Sequence, residues 1–199
     1  MTALSPPISH QASSTEDAGK LAPQIYYQGT HHMTARTYTA FTDGSCLNNG
    51  TIIARAGWGV VIRNTEGVTL EAAGPLNDGR HPTNQRAELT AAIEALKIIK
   101  KPAVVDIYTD SNYVVQGINS WMTKWKANDW RKSDKKPVEN VDLWKVLDTL
   151  LSLHSVTANW IKGHSGHVEN DRVDALAAKA AEFQKPHRKR IPAIETSVV

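Results

Sequence analysis

The sequence predicts a single mixed α/β domain. Three observations predict it: a row of three short β-branched and aromatic runs, an abrupt change to helical spacing after them, and later strand-like runs that alternate with apolar helical stripes. The first three runs are Tyr38 to Thr42, Gly57 to Arg63 and Val68 to Ala73, separated by Gly, Asn and Glu turns, which is the pattern of an antiparallel meander. Leu89, Ala92, Ile93 and Leu96 then recur at helical spacing, and Pro102 closes that helix. A fourth strand follows at Val104 to Thr109. The next helix, near Asn112 to Ile118, leads into a basic, tryptophan-rich segment, after which Leu143, Val146, Leu147, Leu150 and Leu151 form an amphipathic stripe. Val156 to Ile161 is a fifth strand. The last helix carries Val173, Leu176, Ala177 and Ala180 on one face and ends before Pro186. The order β-β-β-α-β-α-α-β-α is that of a mixed α/β domain, and no internal repeat interrupts it.

A chain of 199 residues can bury a core of its own but is cramped for two full domains. With 41% hydrophobic and 22% charged residues it has the balance of a packed protein. Cys46 is the only cysteine, which excludes an intramolecular disulfide and a cysteine-built zinc site. No apolar run approaches the roughly 20 residues that span a bilayer, and no secretory signal layout precedes the domain, so the expectation is a cytosolic protein without a membrane partner. A monomer is the default expectation.

Residues 1–36 are rich in Ser, Thr, Pro, Gln and His without apolar periodicity and are expected to form a disordered leader, with Met33 as a second candidate start. The catalytic domain is then expected over residues 37–184. Residues 185–199 open with Lys185, Arg188, Lys189 and Arg190, broken by Pro186 and Pro192, and are expected to be a loose basic tail.

Two strands end alike, in Phe41-Thr42-Asp43-Gly44-Ser45 and Tyr108-Thr109-Asp110-Ser111-Asn112, each placing an aspartate where strand gives way to loop or helix. Sites in α/β sheets form at the carboxyl ends of strands, so neighbouring strands would bring Asp43 and Asp110 together. Singly, each also fits a turn former or a helix N-cap. Glu88, early in the first helix, and Asp174, beside the stripe of the last one, fit either solvated helix faces or side chains turned toward the sheet edge. Four converging carboxylates would repel one another unless a cation neutralised them, and hard oxygen donors favour Mg²⁺ or Mn²⁺. Such clusters suit phosphoryl chemistry.

From about Tyr38 to Phe183 the chain resembles a bacterial type 1 ribonuclease H. The motifs that carry the resemblance run in that family's order: Phe41 to Cys46, Thr83 to Leu89, Tyr108 to Ser111, Asp134 to Val138 with Asn140 to Trp144, and Trp160 to His167 leading into Glu169 to Asp174. The resemblance implies a ribonuclease H-like fold, a mixed five-stranded sheet flanked by helices. It also implies hydrolysis of the RNA strand of RNA/DNA hybrids, leaving 5′-phosphate and 3′-hydroxyl ends, with two Mg²⁺ ions held by Asp43, Glu88, Asp110 and Asp174 and Mn²⁺ as a possible substitute.

The family's compact glycine-rich turn is replaced after Cys46 by the longer, more apolar Leu47 to Ala56. An asparagine there helps read RNA 2′-hydroxyls in the family, a role the resemblance gives to Asn49. Thr83, Asn84 and Gln85 carry over as substrate contacts; an amide both donates to and accepts from a 2′-hydroxyl, while the alternative is a set of ordinary helix-start residues. Trp121, Trp125 and Trp130 interleave with Lys124, Lys126, Arg131 and Lys132, either as a nucleic-acid surface or as a buried helix face with solvated lysines. The resemblance makes this the basic protrusion that grips the DNA strand. His164 sits in a glycine-flanked loop that leads to the helix bearing Asp174; the resemblance places it beside the acidic cluster, where an imidazole can pass protons near neutral pH, while zinc held by His164 and His167, or a plain loop histidine, are the alternatives.

Two rivals remain at this point. A transposase- or integrase-like enzyme of the same fold predicts DNA substrates and large extra domains. A non-catalytic hybrid-binding module would not need four carboxylates.

Overall fold

The structure, a computed structural model, describes residues 36–193. The expected leader falls almost wholly outside those residues. Along the described chain run β1 (Thr37–Leu47), β2 (Arg55–Asn64), β3 (Thr69–Pro75), α1 (Asn84–Ile98), β4 (Val104–Thr109), α2 (Asn112–Gln116), a π-helical turn (Gly117–Trp121), α3 (Met122–Ala127), α4 (Val141–Leu151), β5 (Ser155–Trp160), α5 (Val168–Phe183) and β6 (His187–Ile191). The strands form one mixed sheet in the order β5-β4-β1-β2-β3-β6. β1, β2, β3 and β6 pair antiparallel in turn, while β4 lies parallel to both β1 and β5. This bears out the mixed sheet flanked by helices, with six strands in place of five.

The period-2 alternation of the meander divides its side chains between two helical layers. Ala40, Val60, Ile62 and Ala72 join Leu89, Ile93 and Leu96 of α1 and Trp144 and Leu147 of α4 in the larger core. Phe41, Val61 and Ala73 point the other way, onto Val173, Leu176 and Ala180 of α5. The α5 backbone lies directly on β2: a Cβ at Gly57 would stand 2.4 Å from Ala181 N, and one at Gly59 2.5 Å from Val173 O. Only glycine admits that approach, and it fixes the height at which α5 carries Asp174.

Two expectations change. The loose tail is a strand over its basic stretch, where β6 pairs with the free edge of β3 from Ala73↔His187 to Thr69↔Ile191. Main-chain hydrogen bonding satisfies that edge whatever side chains the partner brings, so a polar, apolar-poor run adopts the strand. Residues beyond 193 fall outside the described part. The second change concerns Asp43, which lies within β1 and not at its end, because antiparallel pairing with β2 continues to Leu47↔Arg55. Parallel pairing of β1 with β4 stops at Phe41↔Tyr108. Continuing that register by two residues sets Asp43 beside Asp110, where the two strands part.

Candidate active site

Where β1 and β4 separate, Asp43, Glu88 and Asp110 each offer a carboxylate oxygen, and these oxygens lie within 4.8 Å of one another. Asp43 comes from β1, buried, with its Oδ1 accepting from Gly44 N–H at 2.8 Å. Asp110 follows the last residue of β4. Glu88 arrives from α1, whose start is pressed against β1: a Cβ at Gly44 would stand 2.1 Å from Glu88 N. The same end of α1 is held laterally by buried Arg86, which donates to Asp78, to Asn140 Oδ1 at 3.1 Å and to both oxygens of Asp142 at 3.2 and 2.8 Å. That guanidinium holds the Asp142 carboxyl below its ordinary range and ties α1 to the start of α4.

The electrostatics of the cluster are those of a cation site. Burial, reinforced by the charges of Glu88 and Asp110, pushes the Asp43 carboxyl up to about 8. Burial likewise pushes Glu88 up to about 7, with Asp110 adding to the shift and the Ser111 hydroxyl and Asn84 amide opposing it. Asp110 is raised as well, first by burial, with nearby His164 opposing. Glu88 Oε2 is buried without a hydrogen-bond partner. Three carboxylates that resist ionisation together, one with an unpartnered buried oxygen, form an all-oxygen donor set of the kind hard divalent cations take. The residues present therefore fit a divalent ion.

Asp174 is not inside that circle of three. It stands on α5 at the rim, close enough for its charge to raise Asp43 and Asp110, and its Oδ2 lies 3.8 Å from His164 Nδ1. His164 is largely exposed, in a left-handed backbone conformation (φ 49°) that a non-glycine residue seldom adopts. His167 is engaged elsewhere, 3.4 Å from Glu169 and tilted over Phe41. The two histidines have separate carboxylate partners.

Thr83 is the N-cap of α1, its hydroxyl oxygen accepting from Arg86 N–H at 3.2 Å. Asn84 and Gln85 follow it, exposed, and the Asn84 amide donates to Glu88 Oε1 at 3.1 Å. Asn49 is exposed in the loop after β1, whose tip also presents Ile52 and Ile53 to solvent.

The aromatic segment packs with its rings partly covered and its charges outward. A Cβ at Gly117 would stand 1.9 Å from the Trp144 ring, so the glycine that opens the π-helical turn lets α2 and α3 close over α4. Trp121, Trp125, Trp144 and Tyr113 form a continuous aromatic cluster with neighbouring ring centroids 5.2 to 6.2 Å apart. Trp144 Nε1–H donates to the Tyr113 hydroxyl at 2.8 Å. Trp130 packs on the same core. The rings are thus half-buried anchors, and Lys124, Lys126 and Arg131 project outward. Lys126 pairs with Asp148 at 2.7 Å and Lys132 with Glu139 at 3.3 Å, while Lys124 and Arg131 have no carboxylate partner among the described residues.

Two neighbours of Asp110 escape a sequence reading. Trp160 donates to its main-chain carbonyl, and Gly163 passes against its carboxylate. Both lie inside a motif that marks the loop, but nothing in the spacing says which residue they touch.

Among the described residues no helix is long and apolar enough to cross a membrane. A family model described as RNase H matches residues 35–182. A curated relative named Ribonuclease H from Afipia carboxidovorans is 53% identical over 138 residues, covering 69% of this chain and 87% of its own length. Another of the same name from Nitrobacter hamburgensis is 52% identical over 147 residues, covering 74% and 93%. Among solved structures, LC9-RNase H1, described as a type 1 RNase H with the type 2 active-site motif, is similar with a TM-score of 0.71 at 26% identity, covering 82% of this chain and 81% of its own.

Proposed function

The chain belongs to the ribonuclease H family and is a ribonuclease H hydrolase, and we propose that it cuts the RNA strand of RNA/DNA hybrids with two divalent ions, ordinarily Mg²⁺, leaving 5′-phosphate and 3′-hydroxyl ends. The observation that carries this reading is the meeting of Asp43, Glu88 and Asp110 oxygens within 4.8 Å, with Asp43 and Glu88 pushed up to about 8 and about 7. Asp43, Glu88 and Asp110 would hold the ions from the sheet side and Asp174 from the rim. Two divalent ions held there would supply Lewis-acid chemistry for an in-line displacement, lowering the pKa of a water and neutralising charge on the leaving oxygen.

In that displacement water oxygen bonds to phosphorus while the bond from phosphorus to the ribose 3′-oxygen breaks, and the departing oxygen takes up a proton. His164, exposed and 3.8 Å from Asp174, is suited to move a proton between the site and solvent. Asn84 and Gln85 stand exposed at the start of α1, where their amides suit contact with the 2′-hydroxyls that distinguish RNA from DNA. Asn49 is assigned the same task from the loop after β1. Lys124 and Arg131, with Lys126 and Lys132, supply cations for the phosphates of the DNA strand, held out by anchored Trp121, Trp125 and Trp130.

The test compares cleavage of labelled RNA/DNA, RNA/RNA and DNA/DNA duplexes with and without Mg²⁺. Cleavage confined to the RNA strand of the hybrid, dependent on Mg²⁺ and leaving the stated ends, is expected. Cutting or joining of DNA would favour the transferase-like rival, and binding without cleavage would favour the binding module.

A further inference from the structure

Asp110 is held from two directions by the short stretch of chain that ends β5. Trp160, the last residue of that strand and the register partner of Thr109, donates its indole Nε1–H to the main-chain carbonyl of Asp110 at 3.1 Å. The ladder continues one residue further, with Ile161 N–H donating to Thr109 O at 3.0 Å. Gly163 then passes so close to the Asp110 side chain that a Cβ there would stand 2.3 Å from Oδ2 and 3.3 Å from Cγ. The carbonyl is pinned and the carboxylate has a wall it cannot turn into. On either flank of Asp110 along the chain, Ser111 N–H donates to Thr109 Oγ1 at 3.1 Å.

The arrangement matters because Asp110 has reason to leave. Its carboxylate oxygen lies within 4.8 Å of those of Asp43 and Glu88, so mutual repulsion favours a rotamer that swings it outward. It is also less buried than Asp43, which leaves room to swing. The Trp160 ring, about half exposed, is not kept at the site by burial alone, since its indole N–H would find water equally well there. What the indole does at this position is fix a carbonyl that would otherwise move with the end of β4.

We propose that Trp160 and Gly163 are positioning residues for Asp110: one fixes its main chain, the other limits its side chain, and together they keep its carboxylate beside Asp43 and Glu88. The inference rests on the metal-site reading of those three carboxylates. Neither residue touches the reacting atoms. Their effect is on the preorganisation of the donor set, and therefore on metal affinity before it is on chemistry.

Trp160→Phe keeps the ring and removes the donor; Gly163→Ala puts a methyl group against Oδ2. The experiment measures Mn²⁺ binding to the full chain by isothermal titration calorimetry without substrate. Beside it run thermal melts by circular dichroism and steady-state hybrid cleavage across pH 6 to 9 at several Mn²⁺ concentrations. The expected result is a Mn²⁺ dissociation constant about tenfold higher or more in each variant. Turnover should recover at high Mn²⁺, with KM for the hybrid and the shape of the pH profile unchanged. Wild-type Mn²⁺ affinity in a variant that melts like wild type overturns the inference. So does an altered pH profile with unmoved affinity, which would mean that Gly163 acts on neighbouring His164 instead. Should one variant fail to fold, the other decides. A wild-type chain that binds no Mn²⁺ overturns the metal-site reading itself, and this inference with it.

Discussion

Asn84 and Glu88 stand one turn apart on α1, and the amide of the first donates to Oε1 of the second at 3.1 Å, while the other oxygen of Glu88 is buried with no partner. A carboxylate so placed is half satisfied. One oxygen of Glu88 lies within 4.8 Å of carboxylate oxygens of Asp43 and Asp110, so the metal-free protein carries an electrostatic cost at the point where a cation would relieve it.

That cost has a pH signature. Asp43 and Glu88 are pushed up to about 8 and about 7, so the folded state holds protons that the unfolded chain releases near pH 4. For groups raised on folding, the contribution to stability is complete below the unfolded pKa and is lost as pH rises through the folded value. In EDTA the melting temperature should therefore fall between about pH 4.5 and 8.5, by roughly 5–10 °C in all. Asp43→Asn should flatten the decline, and Mg²⁺ at pH 8 should reverse it. A flat profile in EDTA would show that the carboxylates are relaxed without a cation.

Asp43→Asn and Asp110→Asn should each abolish hybrid cleavage while leaving hybrid affinity largely intact, because charge leaves the donor set but the aromatic basic segment and the start of α1 remain. Filter binding and turnover on the same preparation check it. Near wild-type turnover in Mg²⁺ would remove these residues from the metal site.

The cations of the aromatic segment are not equivalent. Lys126 and Lys132 already pair with Asp148 and Glu139, and Lys124 and Arg131 do not pair with any carboxylate among the described residues. Each phosphate that is no longer neutralised should reduce the slope of log affinity against log salt by about 0.9. Replacing Lys124 and Arg131 with alanine should therefore flatten the salt dependence of hybrid binding more than replacing Lys126 and Lys132. Equal slopes in both double variants and in wild type would leave these residues as solvated charges only.

His164→Ala should lower kcat by about ten- to a thousandfold with little change in KM, a milder defect than loss of Asp43, since the imidazole assists proton movement without holding the ions. Steady-state hydrolysis from pH 6 to 9 tests this. A kcat matching wild type across that range would reduce the loop to a connector.

Ending the chain after Gln184 removes β6 and bares the edge of β3 from Thr69 to Ala73. The melting temperature should drop by roughly 4–8 °C as the ladder hydrogen bonds disappear, with cleavage at room temperature retained. An unchanged melt would mean that β6 contributes no net stability.

The meander, α1 and the alternation of later strands and helices were legible in the sequence, because those segments owe their form to local composition and spacing: a β-branched run in Val60 to Ile62, period 3.6 from Leu89 to Leu96. The sequence also determined the acidic residue types and the motif order, from which the family resemblance could be read. Tertiary structure decided what depends on partners remote in sequence. His187–Ile191 has no apolar alternation and becomes a strand because β3 offers an open edge. Asp43 looks like a strand terminus, yet β1 runs on to Leu47, since β2 accompanies it after β4 has stopped. Asp174 carries the same charge as the inner three carboxylates, but the seating of α5 on Gly57 and Gly59 leaves it at the rim. The approach of Trp160 and Gly163 to Asp110 joins residues about fifty positions apart, through the parallel register of β4 and β5. Local periodicity is written in neighbouring residues, whereas register and helix seating arise only when the whole sheet closes and every main-chain edge finds its partner.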